Sequence, residues 1–344
     1  MLALLVVGFF VVLQMETGRN VAHTRRSETR TGVPANYVFF NRDRERITER
    51  SFLDNPGAAG AQLKYTWREL EPERGQYELG QVVADLVFLE QHDKKLFIQL
   101  QDVSFTEGII NVPDYLRADP EFSGGLAPQY EYEGSDESTA VFGGWVARRW
   151  DPAVRRRLIR LLRELGARTD GRIEGLSLPE TVVEFGETGR LFPPGYSHAA
   201  YFEAVKEIMT AAAEAFPRSY VIQYANFMPG ERLPGDDKGY LRGVYEHAAA
   251  IGVGVGGPDL LPHRKGQQAN SLPLLAARNP ETVAGLAVQW GNLEDRNPAT
   301  GEMVSVDELY RYARDELRLD YLFWGVQEPF YSRDVLPYLR TASN

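Results

Sequence analysis

Short apolar runs alternate with helical patterns along most of this chain, and that alternation limits its possible folds more than any other feature. Eight runs have the length and apolar character of buried strands, and the segments between them carry apolar residues at helical spacing. The runs are Tyr37–Phe40, Gly60–Trp67, Lys95–Gln101, Ile173–Leu178, Tyr220–Tyr224, Gly252–Gly256, Val283–Trp290 and Leu319–Trp324. Strands that alternate with helices form parallel sheets, and eight such units favour a closed barrel. The sequence therefore predicts an α/β fold, a single (β/α)8 TIM barrel over residues 34–344.

One connection is much longer than the others. Residues 103–150 follow the third predicted strand, show little periodicity and are rich in aromatic and acidic side chains. Long connections inside a compact domain are usually functional. The next helix should begin at Asp151 and Pro152, because Asp is a favoured N-cap and Pro suits the first helical position. We therefore expect a long loop insertion after strand three, which either walls off one end of a site or extends a groove.

The first 33 residues are expected to lie outside the barrel. Leu2–Leu13 is continuously apolar, which suits the core of a signal peptide, but it is too short to span a bilayer comfortably. Four arginines between Arg19 and Arg30 follow it, and by the positive-inside rule they favour an uncleaved anchor with a cytoplasmic body. Residues 14–33 have the composition of a polar linker. The expectation is an exported protein, periplasmic or extracellular, or one attached to a membrane only through residues 2–13.

Composition narrows the classes of function. Of the 344 residues 43% are hydrophobic and 25% charged, ordinary values for a globular protein with a large core. The net charge of −10 makes nucleic acid an unfavourable partner, because both molecules are negative. The chain has no cysteine for disulfides or thiolate metal sites, and its five histidines lack zinc-binding spacing. No cofactor or metal is expected, a carbohydrate partner remains compatible, and the oligomeric state stays open.

A carboxylate stands where the fourth predicted strand ends. Pro179 cannot continue a sheet ladder, so the chain leaves the sheet immediately before Glu180. Active sites of (β/α)8 barrels lie at the carboxyl ends of the strands. Glu180 is therefore the candidate general acid/base, and a salt-bridged glutamate at a strand end is the alternative interpretation.

The other strand ends supply amides, acids and aromatic rings. Amides and carboxylates hydrogen-bond hydroxyl groups, and flat aromatic rings pack on the C–H faces of sugars. A phosphorylated ligand would instead require cations and a glycine-rich helix start, and this reading places no lysine or arginine at the strand ends. Trp290 and Trp324 are equally compatible with core positions. The candidate substrate-binding residues are Asn41, Trp67, Gln101, Asp102, Tyr224, Asn226, Asp259, Gln289, Trp290 and Trp324.

One segment carries a resemblance to known enzymes. Residues Trp67–Tyr77, WRELEPERGQY, resemble the W-x-x-L-E-P-x-x-G-x-Y segment that follows strand two in (β/α)8 glycoside hydrolases. These belong to the large retaining clan that includes β-galactosidases, xylanases and cellulases. Glu180 and Trp324 are similar in position to the clan's acid after strand four and its tryptophan after strand eight. The resemblance implies a glycoside hydrolase that acts on a glycan or oligosaccharide, with Glu180 as general acid/base.

Two positions depart from the pattern of that clan. Pro179 stands where an Asn usually precedes the acid, and Gln289 stands where strand seven should present a nucleophilic Glu. A neutral amide cannot form the glycosyl ester, so a glycan-binding barrel without hydrolytic activity is the alternative function. A gap from Glu180 to the second carboxylate of about 5–5.5 Å would indicate retention, and about 6.5–9.5 Å inversion. Glu294 is the first candidate for that carboxylate, and the others are Glu184, Glu187, Asp259 and Glu328.

Overall fold

The computed structural model describes residues 32–133 and 136–341, and eight parallel strands in this part of the chain close into a barrel. The strands in chain order are β1 (Ala35–Asn41), β2 (Gly60–Thr66), β3 (Lys95–Gln101), β4 (Val103–Ser104), β5 (Leu126–Glu133), β6 (Asp136–Ala147), β7 (Gly175–Leu178), β8 (Tyr220–Tyr224), β9 (Gly254–Gly257), β10 (Ala284–Val288) and β11 (Tyr321–Gly325). Around the barrel the strand order is β1-β11-β10-β9-β8-β7-β3-β2. The predicted (β/α)8 fold is therefore confirmed.

Helices follow the barrel strands and cover the outside of the barrel. The α-helices are α1 (Arg50–Leu53), α2 (Trp67–Leu70), α3 (Gly80–Glu90), α4 (Asp114–Ala118), α5 (Pro152–Thr169), α6 (His198–Ala215), α7 (Tyr240–Ile251), α8 (Lys265–Ala269), α9 (Ser271–Ala277), α10 (Val306–Arg311) and α11 (Leu336–Thr341). Helix α5 begins as its sequence predicts, since the Asp151 side chain accepts hydrogen bonds from two backbone N–H groups of the first turn. A π-helical turn, Tyr312–Glu316, follows α10.

The apolar segment Leu2–Leu13 and most of the linker lie outside the described residues. Export and membrane attachment therefore stay predictions. Within residues 32–133 and 136–341, no helix has the length and apolar character needed to cross a bilayer.

Aromatic rings fill the amino-terminal half of the barrel interior. The rings of Tyr37, Phe97 and Tyr321 meet edge to face, with centroids 5.4–5.9 Å apart. On the opposite side, β9 lies so close to β10 that a Cβ at Gly256 would stand 1.9 Å from the carbonyl oxygen of Gly285. The glycine-rich run that forms β9 therefore serves close strand packing. Side chains therefore fill the barrel interior below its carboxyl-terminal mouth.

Two predicted substrate-binding tryptophans belong to the core. Trp324 and Trp67 are both completely buried. The Trp324 indole N–H donates to Asn36 Oδ1 at 2.9 Å, and that of Trp67 donates to Glu71 Oε2 at 3.0 Å. Neighbouring residues of a strand point to opposite faces, so Trp324 faces the helices because Phe323 packs inside the barrel. The prediction that these two rings bind substrate is corrected on that ground.

The insertion after strand three is largely a second sheet. Its strands β4, β6 and β5 pair antiparallel in that order. The first five residues of β5, Leu126–Tyr130, alternate between partly and fully buried positions, as expected for a sheet with one covered face. The insertion is thus where the sequence predicts it, but its description as a loop is corrected.

A buried ion pair joins this inserted sheet to the barrel. Asp102 directly follows β3 and Arg149 follows β6, and their side chains are 0% and 4% exposed. Arg149 Nε donates to Asp102 Oδ2 at 2.8 Å, and its Nη1 donates to the Tyr201 hydroxyl at 2.8 Å. An arginine charge in the interior requires such partners, because an uncompensated buried charge is costly. Asp102 therefore has a structural role, which corrects its prediction as a substrate-binding residue.

We expect Asp102→Asn to lower the free energy of unfolding by about 3–5 kcal/mol, because Arg149 would remain buried without a counter-charge. Urea denaturation followed by circular dichroism measures the loss. Arg50→Ala removes an exposed pair with Asp54 and is the matched control, with an expected loss of about 0–1 kcal/mol. Equal losses in the two variants would show that the buried pair does not stabilise the fold.

Candidate active site

A cavity of about 700 Å³ opens at the carboxyl ends of β7, β8 and β9, beneath the inserted sheet. Six residues named from the sequence line this cavity: Glu180, Glu184, Glu187, Asn226, Asp259 and Gln289. The inserted sheet and the residue after β4 contribute Phe105, Tyr130, Glu131 and Tyr132 to its wall. Among the described residues, no group of three or more His, Asp or Glu side chains is placed to hold a metal ion. The cavity lining combines acids, amides and aromatic rings.

Three buried side chains hold the backbone around Glu180. Arg149 Nη1 donates to the Glu180 carbonyl oxygen at 2.6 Å. The preceding carbonyl, of Pro179, accepts a hydrogen bond from Gln223 Nε2 at 2.7 Å, and the following one, of Thr181, accepts from the Tyr201 hydroxyl at 3.0 Å. Three consecutive carbonyls are thus held by donors from three different parts of the chain. The carboxyl group of Glu180 consequently projects from a rigid backbone.

The environment of Glu180 favours its protonated form. Burial is the main cause that raises its pKa, and the nearby charge of Asp259 raises it too. Lys64, Arg149 and the Asn226 amide act in the opposite direction, and the resulting pKa is about 7. A carboxyl group that keeps its proton near neutral pH can act as a general acid.

Two amides hold Asp259 beside this acid. Gln289 Nε2 and Asn292 Nδ2 both donate to Asp259 Oδ1, at 3.0 and 2.8 Å. Burial raises the pKa of Asp259, while these two hydrogen bonds lower it. The amide at Gln289 is therefore suited to its neighbour, because a glutamate there would place two carboxylates in contact. The same contact gives a physical reason why Gln289, after β10, stands in place of the glutamate that the resemblance implies for the seventh barrel strand.

Two of the predicted second carboxylates lie away from the cavity. Glu294 is exposed, accepts a hydrogen bond from Gln327 Nε2 at 2.6 Å, and is not among the residues that line the cavity. Glu328 is exposed as well and pairs with Arg46 at 3.1 Å. The first choice of Glu294 is therefore corrected, and the structure favours Asp259 as the carboxylate that faces Glu180.

The inserted sheet forms one wall of the cavity and is bonded to the loop that carries Glu180. The backbone N–H of Tyr130 donates to the carbonyl oxygen of Glu184 at 2.9 Å. Glu137 of β6 is buried and accepts the backbone N–H groups of Glu187 and Thr188, at 2.6 and 2.9 Å. The inserted sheet therefore covers the mouth above β7. Glu184 and Glu187, both named from the sequence as possible acids, lie in this shared wall.

Tyr224 lies deeper in the barrel than its strand-end position indicates. It is 1% exposed, and its hydroxyl accepts a hydrogen bond from Gln62 Nε2 at 2.9 Å. The predicted contact of Tyr224 with substrate is corrected, because the ring packs inside the barrel below the mouth.

Three other predicted residues remain candidates for sugar contacts. Trp290 is 42% exposed, and its ring meets that of Phe39 edge to face at 6.4 Å between centroids. Asn41 ends β1 and Gln101 ends β3, and the buried side-chain carbonyl oxygen of each has no hydrogen-bond partner among the described residues. Buried acceptors are normally paired, so both amides are suited to a hydroxyl donor.

Lys64 is a cation at the mouth that counting strand ends does not reveal. It follows the inward-facing Gln62 by two residues in β2, so it lies on the same face and one step nearer the mouth. Its Nζ lies 5.9 Å from the centre of the Phe39 ring. Burial and the charge of Arg42 lower the pKa of Lys64 to about 8, although Glu180 raises it. The side-chain alternation of β2 is the sequence signal that predicts this position.

The fold is similar to the folds of two glycan-acting enzymes of known structure. The catalytic domain of β-amylase from Paenibacillus polymyxa matches with a TM-score of 0.57 over 86% of this chain and 93% of that chain, at 8% identity. Endo-glycoceramidase II from Rhodococcus sp., solved as a complex with a cellobiose-like imidazole, matches with a TM-score of 0.51 over 86% and 74%, at 12% identity. No protein-family model and no curated protein matches the sequence. At these identities the likeness shows the (β/α)8 fold, and function has to be argued from the site.

Proposed function

We propose that this protein hydrolyses glycosidic bonds in a glycan or oligosaccharide, with Glu180 as general acid/base and Asp259 as the second carboxylate. The observation that carries the proposal is a buried carboxyl group, Glu180, that lines the same cavity as a second carboxylate, Asp259. Burial raises the pKa of Glu180 to about 7, as a general acid requires. Glycoside hydrolysis generally uses two such groups that flank the scissile bond. The β-amylase and endo-glycoceramidase with similar folds support a glycan as the substrate class.

In the proposed reaction Glu180 gives its proton to the oxygen of the leaving sugar as that oxygen separates from the anomeric carbon. Positive charge then develops on the sugar ring, and the ionised Asp259 stabilises it. The amides of Gln289 and Asn292 favour the ionised form of Asp259 and fix its position. Water supplies the hydroxyl group that ends on the anomeric carbon, and the proton lost by Glu180 is restored from that water.

Glycan binding without hydrolysis is the second candidate function. Gln289 favours it, because an amide in that position cannot be the nucleophile of a retaining mechanism. The two functions differ in whether turnover exists at all, so a single screen separates them.

We expect Glu180→Gln and Asp259→Asn each to lower kcat/KM by about 10²–10⁴-fold, because the first removes the proton donor and the second removes the negative charge that stabilises the developing sugar cation. Reducing-sugar release from polysaccharides and colour release from aryl glycosides measure the loss. Glu294→Gln is the matched control and should keep full activity, since this acid lies away from the cavity. Turnover that is unchanged in Glu180→Gln would remove Glu180 from the mechanism. Binding of glycans with no turnover in the wild type would establish the second candidate.

We expect kcat/KM to fall as the pH rises through about 7, because Glu180 then loses the proton that it must donate. On the acid side kcat/KM should fall as Asp259 becomes protonated, at a higher pH than for an ordinary aspartate because burial raises its pKa.

Lys64→Met should move the alkaline limb of this pH profile to higher pH, since the ammonium charge lowers the pKa of Glu180. Lys95→Met, whose amine pairs with Glu174, is the control. An alkaline limb that does not move in Lys64→Met would contradict this electrostatic contact.

A further inference from the structure

The cavity carries more negative charge than the proposed hydrolysis requires. Apart from the two proposed catalytic carboxyls, it is lined by four glutamates: Glu131, Glu184, Glu187 and Glu231. Arg232 is the one arginine or lysine among the described residues that line it, and Lys64 at the mouth is a second cation, whose charge acts on Glu180. Neutral sugars need hydrogen-bonding groups but no such excess of one charge, so the additional acids call for an explanation.

Two of the four glutamates have structural partners. Glu187 pairs with Arg232, with Oε1 to Nε at 2.6 Å, which also neutralises the cation of the cavity. Glu231 is buried and accepts the backbone N–H groups of Tyr240 and Leu241 at the start of α7, at 2.9 and 2.6 Å. A carboxylate at a helix N-terminus is stabilised by the unpaired N–H groups there. The acids left over are Glu131, on the exposed side of the wall, and Glu184.

The backbone of Glu184 is held in place, whereas its carboxylate makes few hydrogen bonds. Its main chain is held at both ends of the residue, because its carbonyl accepts from the Tyr130 N–H at 2.9 Å and its N–H donates to Gln129 Oε1 at 3.3 Å. Its partly buried carboxylate receives, among the described residues, one long hydrogen bond from the Tyr132 hydroxyl, at 3.4 Å. Most of the acceptor capacity of this carboxylate is therefore directed to the cavity or unused.

A second acceptor in the same cavity independently indicates a ligand. Asn226 is 5% exposed and lines the cavity, and its Oδ1 has no hydrogen-bond partner among the described residues. Buried acceptors are normally paired, so this oxygen points to a donor that the ligand brings. An ammonium group offers three donors and a positive charge, which suits both an amide oxygen and a carboxylate.

We propose that the cavity binds a glycan whose sugars carry protonated amino groups, with Glu184 and the Asn226 side-chain oxygen receiving an ammonium. The inference rests on the proposed function and names its substrate class. An N-acetylated sugar lacks the charge, and a uronic acid would meet repulsion from the glutamates. A hydroxyl group could fill the same position but would gain no attraction between opposite charges.

The test compares three oligosaccharides of equal length that differ in one substituent: β-1,4-linked glucosamine, N-acetylglucosamine and glucose. Their affinities are measured by titration calorimetry on Glu180→Gln, in which the proposed hydrolysis is strongly slowed, at about pH 6, where most of the sugar amino groups carry a proton. We expect the glucosamine oligomer to bind roughly tenfold more tightly at low salt, and the preference to shrink at high salt. Adding Glu184→Gln should abolish the preference. Adding Glu246→Gln, an exposed change on α7, should leave it intact.

Glu184→Gln should fold normally, because the bonds that tie this residue to the inserted sheet use its main chain. Equal affinity for the three oligomers, or a preference that survives Glu184→Gln, would overturn the inference, while hydrolysis of a neutral glycan by the wild type would still stand. An amine preference that depends on Glu184, in a wild type that also turns over none of the polysaccharides and aryl glycosides of the activity screen, would support the charge preference and overturn the hydrolase function.

Discussion

The site depends on the ion pair and the hydrogen bonds of the buried Arg149 guanidinium. It pairs with Asp102 at the end of β3, donates to the hydroxyl of Tyr201 on α6, and donates to the backbone of Glu180. Loss of one partner of a charge placed so deeply is strongly destabilising. One guanidinium thus joins the inserted sheet, the barrel and an outer helix to the backbone that presents the candidate acid.

The sequence predicts the fold well and the direction of its side chains less well. Buried parallel strands are short apolar runs between turn residues, and that signal is local, so all eight barrel strands were predictable. Which face a residue occupies depends on the parity of its strand, and a count of strand ends ignores parity. Such a count places Trp324 at the mouth although it packs against helices, and it leaves out Lys64 although that residue faces inward. The aromatic residues of β5 alternate over too few positions to predict a strand from the sequence.

The second carboxylate of the site is hard to predict from the sequence for a different reason. Residues that are close along the chain need not be close in space. Glu294 is five residues from the position where the resemblance implies a nucleophile, yet it turns outward after β10. Asp259 lies two residues after the neighbouring strand, β9, and accepts a hydrogen bond from Gln289 directly. No local pattern contains that contact, because it arises from the lateral order of strands in a closed barrel. Once the order is known, the amide at Gln289 and the acid at Asp259 are understandable as one unit.

The main-chain bonds between the inserted sheet and the loop after β7 affect how the specificity of such a barrel can change. Glu137 accepts two backbone N–H groups of that loop, and its carboxylate lies 2.5 Å from where a Cβ of Gly186 would stand. The wall of the cavity is therefore not a separable module that can be shortened or exchanged without disturbing the acid. Diversification of this scaffold has to proceed by replacing side chains such as Tyr132 and Phe105, which reach the cavity while the backbone contacts persist.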